Sequence, residues 1–323
     1  MKLLHLWCLI GFGLAAGASG AALAQTWPDK PIRVVVSFAP GGVHDTLARV
    51  LAPKLTEALG QPIVIENRGG AGGNIAAETV ARSAPDGYTF LVASEGIATN
   101  QFLYRSPGYD MNKDLAPVAK LADYPLALVV HPSVAANTMS EFVALARARP
   151  GQISYGSAGI GASGHLASEL LKTLAGFDMV HVPYKGGAPA LLDLVAGRIQ
   201  AMFLSVSLSA PQVRLGKIKA LAVAGHERAA KLSEVPTTVE GGYPAFEALL
   251  FSSMFAPAGT PAAIVNRMSA ELGKALRMPE LQQRLADLGA VPAPNTPEEF
   301  GRLLREVEAR WGKLIRDKGI RAD

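Results

Sequence analysis

Ten residues, Gly156-Ser-Ala-Gly-Ile-Gly-Ala-Ser-Gly-His165, hold the densest set of groups able to grip a ligand. Gly159, Gly161 and Gly164 follow a short strand pattern and open a helical one, which is the G-x-G-x-x-G spacing. Glycines let backbone approach a ligand closely, and the free N–H groups of a helix start attract an anion. Three readings compete: a pyrophosphate seat for a dinucleotide, a carboxylate seat, and a purely structural turn. The dinucleotide reading lacks its partner, because the next strand, Met179 to Val182, ends in Pro183-Tyr184 with no acid for a ribose. In the carboxylate reading Ser157 and Ser163 donate, Gly161 permits close approach, and His165 lies within the first helical turn.

A second loop of the same kind is Phe38-Ala-Pro40-Gly41-Gly42-Val-His44-Asp45, again between a strand and a helix. Asp45 is placed as the N-cap of that helix, and His44 is expected to be a loop histidine facing a cleft. Metal binding is not expected there, since no second histidine stands at ligand spacing.

Other chemistries find weaker support. Gly161-Ala162-Ser163-Gly164 lacks the spacer of a G-x-S-x-G nucleophile elbow, although histidines and acids could still meet a serine in space. Gly69 to Gly73 is not followed by the Lys-Ser/Thr of a Walker loop, and no H-E-x-x-H occurs. A cofactor is therefore not expected.

The elements that must position these loops alternate strand and helix. Strands are read at Ile32–Phe38, Pro62–Glu66 and Tyr88–Ala93, with helices from Asp45 to Leu59 and Asn74 to Arg82. A second group follows: strands at Leu126–Val130, Ile153–Tyr155, Met179–Val182, Gln200–Leu204 and Ile218–Ala224. Its helices are Thr138–Arg149, Ser163–Ala175 and Ala188–Ala196. After an extended run at Leu249–Phe255 the chain is helical from Ala262 onward. Those last helices need a sheet to cover, and the simplest packing returns them to the first group. The expected fold is α/β with two lobes: 25–124 together with 249–323, and 125–248, joined by crossing hinge segments.

Residues 1–24 read as an address. Lys2 precedes an apolar run from Leu3 to Ala18, and Ala22-Leu23-Ala24 is an A-x-A cleavage pattern before Gln25. Removing 24 of 323 residues leaves 299 and takes away Cys8, the one cysteine, which excludes disulfides and thiol catalysis from the mature chain. About 300 residues bury roughly 75% of the unfolded surface, enough for a core without covalent staples. The formal charge of +4 is a small excess spread along the chain, with no basic stripe or aromatic platform for nucleic acid.

Many separate segments then resemble one family. They include Trp27-Pro-Asp-Lys-Pro-Ile32, Glu66-Asn-Arg68 with Gly70-Ala-Gly-Gly73, and Pro85-Asp-Gly-Tyr-Thr89. Tyr155-Gly-Ser-Ala-Gly159, His181-Val-Pro-Tyr-Lys-Gly186, Gly216-Lys-Ile-Lys-Ala-Leu-Ala222 and Ala256-Pro-Ala-Gly-Thr-Pro261 continue the pattern in order. Together they resemble the Bug family, the extracytoplasmic solute receptors of tripartite tricarboxylate transporters. The resemblance implies a periplasmic-binding-protein type II fold, a monomer in the periplasm, a small organic carboxylate in the interlobe cleft, and delivery to membrane transporter subunits. Carried over onto this chain, the ligand contacts are Pro40, Gly41, Gly42 and Asp45 on one side and Ser157, Ser163 and His165 on the other. Ser94 lines the floor.

The chain departs from the family pattern at three places: His44 stands where Ser or Thr is usual, Leu204-Ser205 where Asp-Asn is usual, and Phe251 near a usual tryptophan. Losing an acid at Leu204 while gaining an imidazole at His44 is expected to tilt the pocket away from amines. Two other functions remain open at this stage, an exported hydrolase or isomerase using the same cleft and a ligand sensor for a signalling protein.

Overall fold

The computed structural model describes residues 27–246, 248 and 250–322; residues 1–24, read from sequence as an address with a cleavage pattern, lie outside them. Five strands and four helices come first: β1 (Ile32–Val36), α1 (Val43–Leu59), β2 (Ile63–Asn67), α2 (Asn74–Ala81), β3 (Thr89–Ser94), α3 (Gly96–Leu103), a short α4 (Met111–Asp114), β4 (Leu115–Asp123) and β5 (Leu126–Val130). Next are α5 (Met139–Ala148), β6 (Ser154–Ser157), α6 (Ser163–Ala175), β7 (Val180–Pro183), α7 (Gly187–Val195), β8 (Ala201–Ser205), α8 (Val206–Arg214) and β9 (Lys219–Val223). The chain closes with β10 (Phe251–Pro257), α9 (Ala262–Leu276), α10 (Pro279–Asp287), β11 (Val291–Pro292) and α11 (Pro297–Asp317).

These strands form two mixed sheets, and the fold is the α/β, two-lobe periplasmic-binding-protein type II architecture. The first sheet runs β11-β4-β10-β3-β1-β2 and the second β7-β6-β8-β5-β9. Strands before Tyr124 and after Leu250 thus share one sheet, and those from Leu126 to Val223 share the other. Two stretches cross between them, where Tyr124 N–H donates to Leu250 C=O (2.7 Å) and Val206 N–H donates to Pro125 C=O (2.8 Å).

The first sheet is covered on both faces, which is why β1 reads Ile-Arg-Val-Val-Val instead of alternating with polar residues. Val34 and Val36 pack with Leu47, Leu51 and Leu55 of α1 and Met268 and Leu272 of α9. Val35 points the other way, into a cluster holding Ala76 and Val80 of α2 and Phe300, Leu304 and Val307 of α11. The returning C-terminal helices therefore cover the first sheet, as the element order demands. Each large side chain so buried contributes about 1.5–3 kcal/mol relative to exposure. Helix α11 starts on a capping box, Thr296 accepting from Glu299 N–H while Glu299 accepts from Thr296 N–H.

Two elements escape the pattern reading. Strand β4, Leu-Ala-Pro-Val-Ala-Lys-Leu-Ala-Asp, pairs with β10 through a register shifted at two places. Its buried residues consequently do not alternate. Helix α3 is eight residues long with a weak apolar stripe, yet it stands directly on the cleft.

Candidate functional site

Between the sheets lies a cavity of about 1020 Å³, inside the usual range for a small-molecule site or just above it. Its walls are built by the carboxyl ends of strands from both sheets, where open α/β sheets bind ligands. Five helices begin at this wall. Their N-cap residues are Gly42 (α1), Glu95 (α3), Ala162 (α6), Gly186 (α7) and Ser205 (α8), all of them lining the cavity. At none of the five does the N-cap side chain accept from its helix, although Gly96 N–H at the start of α3 donates to Ser94 Oγ (3.2 Å). The first-turn N–H groups of a helix lack intrahelical acceptors, and each helix start favours an anion by about 0.3–1 kcal/mol. Lys185 is the single lysine or arginine among the described lining residues. The attraction for an anion is thus supplied chiefly by backbone.

Seven of the twelve residues singled out from sequence line this cavity: Phe38, Gly42, His44, Ser94, Gly161, Ser163 and Ser205. The other five stand behind it and hold its loops. Asp45 is not the N-cap of α1, because the helix starts two residues earlier, at Val43. As the third helical residue Asp45 instead accepts from Gly41 N–H (2.8 Å), from Asn67 Nδ2 (2.9 Å) and from Arg49 Nε (3.0 Å). Those bonds hold its carboxyl below the usual range despite burial, and they clamp the Pro40-Gly41 turn.

His44 is likewise corrected, from a loop residue to the second residue of α1. Its ring stacks on Phe38 at 4.6 Å and its Nδ1 meets Ser252 Oγ at 2.6 Å. Ser252 also meets Tyr124 Oη (3.1 Å). Burial lowers the His44 pKa to about 4, so the ring presents a neutral edge to the cleft.

Ser157 and His165 sit beneath the Gly-rich loop. Ser157 is fully buried; its Oγ meets His181 Nε2 at 2.7 Å and donates to Gly159 C=O at 2.9 Å. His165 Nδ1 accepts from Gly161 N–H (3.0 Å), and its ring stacks on His181 with centroids 3.9 Å apart, itself stacked on Tyr155 at 4.8 Å. This stack is a shelf under the loop. It also has a pH dependence. Desolvation, followed for His165 by the neighbouring imidazole, pushes both histidines down to about 4.

The sign follows from linkage. The unfolded chain takes up these protons near the ordinary 6.5, the folded chain only near 4, so the stabilisation is complete above 6.5 and is lost as pH falls toward 4. His44 and His165, both 5% exposed, each stand to lose up to about 3 kcal/mol over that window. Glu95 works in the opposite direction, burial raising it to about 7; its contribution is complete below 4.5 and is lost as pH rises through 7. Three histidines outweigh one acid between pH 4.5 and 6.5. Urea unfolding should therefore show lower stability at pH 5 than at pH 7, with a smaller difference in His165→Gln. Equal or greater stability at pH 5 would refute the neutral stack.

Sequence reading missed Glu95. It follows Ser94 at the end of β3, is 7% exposed, and is the only carboxyl-bearing residue among the described lining residues. Its Oε2 accepts from Phe251 N–H (3.1 Å) and its Oε1 accepts from Ser163 Oγ–H. That second bond joins the two sheets' elements across the cleft. Glu95 thus places a carboxyl on the wall opposite Leu204, supplied by the other sheet. The available signal was position alone: a polar pair at the carboxyl end of a central strand. Lys185 and the Gly186-Gly187 start of α7 were visible as a motif but carried no assigned role.

Among the described residues three serine–histidine contacts occur: Ser157 with His181, Ser252 with His44, and Ser133 with His131 on the surface. Ser157 and Ser252 are fully buried, and none of the three serines lines the cavity, so none reaches a ligand there as a nucleophile in this arrangement. Among the described residues no cluster of metal-binding side chains occurs, and no helix is long and apolar enough to cross a membrane.

Comparison with known proteins places this architecture. The profile of the tripartite tricarboxylate transporter family receptor matches residues 47–320. Protein BugT of Bordetella pertussis is 35% identical over 324 residues, covering 99% of this chain and 99% of that one. Among solved structures, Rpa4515 of R. palustris with adipate has a TM-score of 0.81 at 38% identity, covering 91% of this chain and 99% of that one. MatC of Rhodopseudomonas palustris with bound malate has a TM-score of 0.77 at 36% identity, covering 89% and 99%.

Proposed function

The chain belongs to the tripartite tricarboxylate transporter receptor family, and from that premise we propose that it captures a small carboxylate in the interlobe cavity and delivers it to a membrane carrier. One observation carries the reading: five helix starts, none capped by its N-cap side chain, converge on one cavity with a single lysine among its described lining residues. A carboxylate satisfies such N–H groups and takes the field of the helix ends. Relatives with adipate and malate bound supply the ligand class. An apolar body suits the rest of the wall, where Phe38, Ile160, Leu204, Leu208 and Leu250 stand.

In this reading the lobes are 25–124 with 249–323, and 125–248, and they close on the ligand about the two crossing stretches. Phe38, Gly42, His44, Ser94, Gly161, Ser163 and Ser205 make contact directly or through water. Pro40, Gly41, Asp45, Ser157 and His165 hold the contacting loops. Closure turns occupancy into a shape that the transporter subunits recognise, a population shift driven by contacts made only when shut. The mature receptor begins at Gln25, works in the periplasm as a monomer, and performs no chemistry.

Native mass spectrometry of protein from the periplasmic fraction, saturated with an acid that it binds, tests these points together. A monomer starting at Gln25 that releases the acid intact and in stoichiometric amount supports the receptor. Multiple-turnover consumption of the acid would instead establish the hydrolase or isomerase reading, and a chain retaining Met1 would overturn export.

A further inference from the structure

Glu95 and Ser163 form a pair whose hydrogen count matters. A serine hydroxyl carries one hydrogen and two acceptor lone pairs. In the pair seen here that hydrogen points to Glu95 Oε1, while Oε2 is occupied by Phe251 N–H. Ser163 then turns only lone pairs toward the cavity, and behind it stands a carboxylate. A ligand carboxylate at the start of α6 meets repulsion from both. Protonating Glu95 reverses the arrangement. The acid O–H donates to Ser163 Oγ, and the serine hydrogen is released to the ligand.

We propose that Glu95 makes ligand capture proton-linked: the receptor takes up one proton from water with each carboxylate, using Glu95 and Ser163 as a two-bond relay. The proposal rests on the carboxylate reading of the cavity. Charged and titratable groups around Glu95 leave it free to gain the proton. From β4, Asp123 disfavours the ionised form, and its own partner is Lys120 at 2.7 Å. From α1 and α6, His44 and His165 are neutral above pH 5. From β10, Phe251 contributes an N–H and Ser252 and Ser253 no charge, and from α3 Asn100 is neutral. No cation pairs with Glu95 in the described structure, and Lys185 is the only Lys or Arg among the described lining residues. The five helix starts favour the ionised acid while the cavity is empty. An arriving carboxylate competes for the same field, so binding itself raises the Glu95 pKa, which already stands at about 7 through burial.

The sign is fixed by these groups. Monocarboxylates are ionised throughout pH 6–9 and dicarboxylates are fully so above about pH 7, so in the upper part of the range only the receptor titrates. Below the pKa of ligand-free Glu95, affinity is on a plateau. Above it, affinity falls roughly tenfold per pH unit, the slope of one linked proton. Glu95→Gln fixes the protonated pattern, its Oε1 accepting from Phe251 N–H and its Nε2 donating to Ser163.

Titration calorimetry with a panel of four- to eight-carbon mono- and dicarboxylates, adipate and malate included, tests this between pH 6 and pH 8.5. Runs in two buffers of different ionisation enthalpy count the proton without any variant. The expected result is uptake approaching one proton at pH 8.5, with affinity at least tenfold weaker there than at pH 6. Glu95→Gln, checked for folding by circular dichroism, should bind equally at both pH values, near the wild-type plateau. Acids that bind with no proton uptake, or with the same pH slope in Glu95→Gln, would overturn the relay and leave the carboxylate reading intact. If no acid binds at either pH, both fall.

Discussion

Gly164→Ala is expected to destabilise the protein by about 3 kcal/mol, although the same change inside a helix ordinarily gains up to about 1 kcal/mol. Gly164 is the second residue of α6, and a Cβ there would stand 2.4 Å from the Phe203 carbonyl oxygen of β8. That oxygen belongs to a buried central strand and cannot swing aside. Either α6 lifts from the sheet or β8 bends, and overpacking of this kind typically costs 1–3 kcal/mol, sometimes more. Gly273→Ala in α9 provides the contrast. There the new methyl meets only the mobile end of Arg277, at 3.1 Å from Nη1, so that variant should match or exceed wild type. Urea unfolding of both variants measures the difference. A Gly164→Ala protein as stable as Gly273→Ala would mean that α6 does not seat against β8 as described, and the position of the proposed anion seat would fall with it.

A larger effect on binding is expected from Gly161→Ala: roughly a hundredfold loss of affinity, about 3 kcal/mol. Gly161 has φ +77°, and a Cβ would come within 2.3 Å of Leu103 Cδ1. Leu103 ends α3, on the first sheet's side, whereas Gly161 belongs to the second. The added methyl therefore wedges the lobes apart where they meet. The left-handed backbone alone costs about 1–2 kcal/mol in an alanine, and this must be separated from the wedge. Gly176→Ala does so, since Gly176 caps α6 at φ +65° with nothing within 4 Å of a new Cβ. It should lose similar stability and keep full affinity. Calorimetric titration of both variants decides it, and equal affinity for the two would show that closure does not bring Gly161 onto Leu103.

Legibility from sequence followed periodicity and stopped where contacts cross between lobes. β1, α6, α9 and α11 were evident because a single local pattern specifies each, down to Ser163 as the first residue of α6. β4 was not, because its burial is dictated by a bulged register with β10, more than a hundred residues away. α1 was read two residues short because Asp45 resembles a cap, while the Gly41-Gly42 backbone begins the helix without one. Residues of both glycine loops line the cavity. Which of their side chains face the cavity was not legible, since Ser157 and His165 differ from Ser163 only in what lies beneath them. The stack of Tyr155, His181 and His165 draws on β6, β7 and α6 and exists only once these pack. Glu95 escaped for a related reason. Its partners, Ser163 and the Phe251 amide, lie 68 and 156 residues along the chain.

The central claim is that the cavity recognises a carboxylate through helix starts and backbone N–H groups. Its most direct test is titration of the folded protein at pH 6 with small mono- and dicarboxylic acids, adipate and malate among them, each against its neutral amide. A hydrogen bond to a charged acceptor is worth about 1.5–3 kcal/mol, so the acid that binds should exceed its amide by roughly ten- to a hundredfold. An amide that binds as tightly as its acid, or a full panel of acids that gives no heat of binding, would contradict the account.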